Sequence, residues 1–68
     1  MKSDELVRMA NQIAANFHLY AEDEAVAAIS SHLRRFWEPR MRSALLTAAA
    51  EGRAPGLTPR VQAALRAL

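Results

Sequence analysis

An all-α fold is what this 68-residue chain predicts, and three observations predict it. Apolar residues recur at intervals of three and four through most of its length. Acidic clusters open two of those stretches, and the other two begin with a proline that follows a capping or turn residue. Proline and glycine then punctuate the chain at Pro39, at Gly52 and in the GRAPGLT stretch, where helices would stop or turn. The expected architecture is a small three-helix bundle, at about 4–18, 22–37 and 39–51, followed by a short C-terminal helix at about 59–67. Residues 1–68 read as a single helical domain, with a helical core at 1–52 and a loop plus short helix at 53–68.

In the first helix, Leu6, Met9, Ala10, Ile13 and Phe17 form one apolar stripe, with Arg8, Asn11 and Ala15 on the far side. Ser3 is the expected N-cap, and Asp4 and Glu5 complement the helix dipole in the first turn. Leu19-Tyr20-Ala21 reads as the connection. The second helix opens on Glu22, Asp23 and Glu24 and closes on Arg34 and Arg35, which matches the macrodipole at both ends. Its inner positions are Val26, Ile29, Leu33, Phe36 and Trp37, with Phe36 expected deeper than Trp37. His32 flanks that arc.

Pro39 stops the second helix, because the residue before a proline avoids helical angles, and it suits the first position of the third helix. Met41, Ala44, Leu45, Ala48 and Ala49 face inward, while Leu46 points about 100° away from Leu45 and gives the helix a second apolar side. Gly52 is the left-handed stop. Residues 52–58, GRAPGLT, form a loop, and Thr58-Pro59 starts a last helix whose apolar face is Val61, Ala64, Leu65 and Leu68.

Several classes of chemistry find no support. The sequence has no cysteine, which excludes a disulfide framework, a thiolate zinc site or a cysteine-held iron–sulfur cluster on this chain and fits a reducing cytosol. His18 and His32 are the only imidazoles and stand 14 residues apart without metal-ligand spacing. Most of the carboxylates are helix-start charges, the two glycines are a helix stop and a turn, and no nucleophile–base spacing occurs. No apolar run reaches the roughly 18–20 residues a membrane span needs. The N-terminal MKSDELVRM places acids where a signal peptide is apolar. A domain this small buries only about 60% of its unfolded surface, so a partner that completes its core is expected.

The cluster Arg34, Arg35, Arg40 and Arg42 admits three readings. It is two solvated helix ends meeting, a protein interface beside Trp37, or the basic patch of a small nucleic-acid-binding or regulatory module. The formal net charge of only +2 speaks against the last.

The motifs carry a resemblance. LVRMANQIAANF (6–17) followed by DEAVAAISSHLRRFWEPRMRSAL (23–45) resembles the delta subunit of cytosolic, NAD-dependent molybdenum formate dehydrogenases. The MANQIA segment at Met9–Ala14, the acidic start and Ala-Val at Asp23–Val26, and the HLRRFWEPRM core at His32–Met41 carry it, and Gly56-Leu57-Thr58-Pro59 with Val61 and Ala64-Leu65 is similar to the family's closing segment. Asn16 departs from the bulky apolar or aromatic residue of the family pattern. The resemblance implies a noncatalytic, cytoplasmic accessory subunit with no cofactor of its own, stabilising or helping mature a large subunit that holds the molybdenum cofactor and iron–sulfur clusters. A flavin and iron–sulfur subunit then passes electrons to NAD. A homo-oligomer is an alternative state for the isolated chain. Under this reading Trp37, Arg40 and Met41 are the expected interface anchors, together with His32, Arg34, Arg35 and Leu46.

Overall fold

The computed structural model describes residues 2–68. Among them are four helices and no strand: α1 (Ser3–Ala15), α2 (Glu22–Phe36), α3 (Pro39–Ala50) and α4 (Pro59–Arg66). The expected fold class is therefore found. The fourth helix is more than an appendage. α4 packs along α2, and Val61 and Ala64 are fully buried there with Ala25 and Ile29. The core draws on both chain segments, running from Leu6 and Ala10 through Ile29, Leu33, Trp37 and Leu45 to Leu57, Val61 and Leu65.

Helix ends follow the local chemistry with three corrections. Lys2, not Ser3, occupies the α1 N-cap position, and no side chain caps that end. α1 stops at Ala15 rather than near His18, because the amides of Asn16 and Phe17 bond back only three residues, to Ile13 and Ala14 at 3.1 and 3.0 Å. Such tightened turns end a helix. α2 stops at Phe36, and Trp37 and Glu38 are both extended, at ψ 141° and 147°. Pro39 opens α3 as expected. Gly52 adopts φ +73°, the left-handed stop. The Thr58 hydroxyl accepts from the Val61 amide at 3.4 Å, capping α4.

The buried stripe of α1 is rotated from the expected one. Leu6, Val7, Ala10 and Ala14 are buried, whereas Met9 is 37% exposed and Ile13 and Phe17 are half-buried. On a helical wheel this is a turn of about 60° toward Val7 and Ala14. The cause is the 53–58 loop. Asn11 holds it to α1, its Nδ2 donating to the Gly56 carbonyl at 2.9 Å and its Oδ1 accepting from the Thr58 amide at 3.2 Å. The flank read as solvent-facing is thus covered by chain from the far end of the sequence. On α3 only Leu45 and Ala48 are fully buried. Ala44 and Ala49 are exposed and Met41 is half-buried.

Candidate protein interface at the α2–α3 corner

The corner begins with two adjacent aromatics that part company. Trp37 is 7% exposed and belongs to the core, while Phe36 is 69% exposed, the reverse of the expected order. The reason is backbone geometry. Phe36 is the last helical residue, whereas Trp37 has left the helix and its extended backbone returns the indole toward α1. There it lines a groove with Glu5, Arg8, Met9, Gln12 and Ile13. Helical periodicity does not govern a residue outside the helix.

The Arg cluster also divides. Arg42 sends its Nη1 to three backbone carbonyls, those of Trp37 at 2.6 Å, Arg34 at 3.1 Å and Leu33 at 3.3 Å. The Arg34 and Trp37 carbonyls are ones the helix end leaves without a backbone donor, the Leu33 carbonyl also accepts from the Trp37 amide at 3.1 Å, and a cation there meets the negative end of the dipole. Arg42 therefore caps α2 from α3 and locks the angle of the corner. Arg34, Arg35 and Arg40 are exposed, and among the described residues none of them donates a side-chain hydrogen bond or joins an ion pair. The remaining expected anchors are dispersed. Met41 is half-buried against the core. Leu46, 38% exposed, lies on a separate apolar groove with Ala49, Ala50, Ala54, Pro55 and Leu57. Arg40 lines a third groove beside Ser3, Ser43, Thr47 and Arg53.

His32 is half-buried, with its ring 4.7 Å from that of Phe36 and tilted by 40°. Its Nδ1 is buried without a hydrogen-bond partner. Phe36 is the surface residue that periodicity hides, since it falls on the inner arc of α2. The signal for it is Pro39. A proline three residues later ends the helix at Phe36, so the inner arc there has no continuing core to meet.

Arg60 is a positioning residue that sequence reasoning missed. Its guanidinium donates to the Phe17 carbonyl at 3.0 Å, the Tyr20 carbonyl at 3.3 Å and Glu22 Oε1 at 2.9 Å, tying the α1–α2 turn to α4. This holds the start of α2 in place, and with it the direction in which α2 delivers the corner.

Among the described residues, no three of His, Cys, Asp or Glu gather where they would hold a metal ion, and no helix is long and apolar enough to cross a membrane. No curated relative and no solved structure matches the chain. The family described as the NADH-dependent formate dehydrogenase delta subunit, FdsD, matches residues 5–65. The match reaches into all four helices, lacking only Ser3 and Asp4 of α1 and Arg66 of α4, and takes in the whole α2–α3 corner. With nearly the full length accounted for, this chain belongs to the formate dehydrogenase delta subunit family.

Proposed function

We propose that the chain is a noncatalytic accessory subunit in the cytoplasm. It packs against the large, molybdenum-bearing subunit of an NAD-dependent formate dehydrogenase and stabilises that subunit or assists its maturation. The observation that carries this reading is the family match over residues 5–65. The molybdenum cofactor, the iron–sulfur clusters and the flavin belong, on this reading, to the other subunits, and this chain contributes a shaped surface. Its interface is the α2–α3 corner, with Arg34, Arg35, His32 and Arg40 as contacts, Leu46 as a more distant one, and Trp37 and Met41 supporting them from the core side. Two features favour the corner. Its free guanidiniums have no partner within the described chain, and Arg42 makes it rigid, so little ordering is lost on docking.

The test is to express the enzyme complex with and without this chain, carrying a tag on the large subunit. The chain is expected to co-purify, and its omission to lower the yield or molybdenum content of the large subunit. A fully loaded, equally stable large subunit that neither needs nor retains the chain would overturn the proposal. Within that assay, Arg40→Glu is expected to weaken retention several-fold through an unfavourable charge at the contact.

A further inference from the structure

The last turn of α2 holds a combination that folding does not use. Phe36 is 69% exposed although Ile29, about 20° away round the helix axis, is fully buried. The ring rests against that of His32, with centroids 4.7 Å apart. Arg34 and Arg35 precede it, and both are exposed with guanidiniums that bond to nothing among the described residues. Residues 32–42 carry four arginines against the single acid Glu38, and Arg42 is already committed to capping α2. A large apolar side chain braced on a second ring and flanked by unpaired Arg is the composition of an interface centre with a charged rim.

We propose that the α2 terminus is a plug: Phe36, braced by His32 and flanked by Arg34 and Arg35, inserts into an apolar socket rimmed by carboxylates on the large formate dehydrogenase subunit. This rests on the accessory-subunit reading and adds the chemistry of the partner's surface. Carboxylate is the complement because guanidinium pairs with it in bidentate geometry and because the corner is basic. Nucleic acid is the other polyanion a basic, aromatic patch can meet. The charge layout opposes it. Glu22, Asp23 and Glu24 sit at the opposite end of the same helix, about 18 Å from Arg35 at 1.5 Å per residue. A strand following the helix would leave two bases and meet three acids.

The test uses the whole complex, co-expressed with a tagged large subunit, and compares the wild-type chain with Phe36→Ala, Phe36→Leu and the double variant Arg34→Glu, Arg35→Glu. All the substituted side chains are exposed, so circular dichroism of the isolated variants should match wild type; the Phe36 variants should keep the thermal midpoint, and the double charge reversal should lower it slightly through the helix dipole while the chain stays folded. Retention is expected to fall roughly tenfold or more for Phe36→Ala and for the double variant. Phe36→Leu, which keeps apolar volume, should recover part of it, and high salt should weaken wild-type retention. Wild-type retention with every variant kept at the wild-type level overturns the plug and leaves the accessory-subunit reading standing. Failure of the wild-type chain itself to be retained overturns both. Binding of labelled single-stranded DNA that the double charge reversal abolishes, with retention on the complex unchanged, assigns the patch to nucleic acid and overturns the plug.

Discussion

Arg40 and Arg42 stand two positions apart on α3 and do different work. Arg42 donates to the carbonyls of Leu33, Arg34 and Trp37, so its removal leaves helix-end acceptors without a charged donor. Hydrogen bonds involving a charged group contribute about 1.5–3 kcal/mol, and this guanidinium is only half-buried. Arg42→Ala is therefore expected to lower stability by about 2 kcal/mol, read as a reduced urea midpoint with an unchanged slope. Arg40→Ala, which removes an exposed side chain that has no hydrogen-bond or ion-pair partner among the described residues, should stay within about 0.5 kcal/mol of wild type. Equal losses for the two would show that Arg42 is not the cap. The same division explains why the sequence offered one cluster where the structure has two groups. Residue type marks all four arginines alike, and only the path of the chain decides which guanidinium finds carbonyls.

At the scale of elements, helix boundaries were legible wherever a single residue dictates them. Pro39, Gly52 and the Thr58-Pro59 pair each set a terminus through their own backbone or hydroxyl chemistry. Gly52, at φ +73°, has open space where a Cβ would stand, with no atom within 4 Å, so a substitution there meets backbone strain without a clash. Gly52→Ala should cost about 1 kcal/mol, and Gly52→Asn less, because Asn tolerates the left-handed region. Thermal unfolding of the two variants checks the order, and an Asn variant as damaged as Ala would contradict it. The end of α1 was not legible in the same way. No breaker stands at Ala15, and the helix yields to a turn that Arg60, 45 positions beyond Ala15, holds from α4.

The whole molecule depends on its last quarter. Leu57, Val61, Ala64 and Leu65 share one core with Leu6, Ile29, Leu33 and Leu45. Residues 53–58 also cover α1 through Asn11, and α4 holds the α1–α2 turn through Arg60. We expect 1–68 to unfold as one cooperative unit. A chain ending after Arg53 should lose its sharp thermal transition and bind a dye specific for exposed apolar surface. Retention of a cooperative transition by that truncation would show that residues 1–53 fold alone. The α2–α3 corner is held in place by segments remote from it in sequence, so under the proposed function destabilising α4 is expected to weaken retention on the large subunit without touching any of the proposed contacts.

What the sequence determined by itself is the part of this protein written in short-range chemistry. Helix-forming periodicity, charges matched to helix dipoles, proline and glycine punctuation, and a family motif running through the HLRRFWEPRM segment were all legible there. Only the tertiary structure decided how each helix is rotated, that Trp37 turns in while Phe36 stays out, and that Arg42 is a cap while Arg34, Arg35 and Arg40 stay exposed. The physical reason is range. A terminus depends on groups a few residues apart. The burial of one face instead depends on which other element arrives against it, and here a loop and helix from the end of the chain cover α1 and α2.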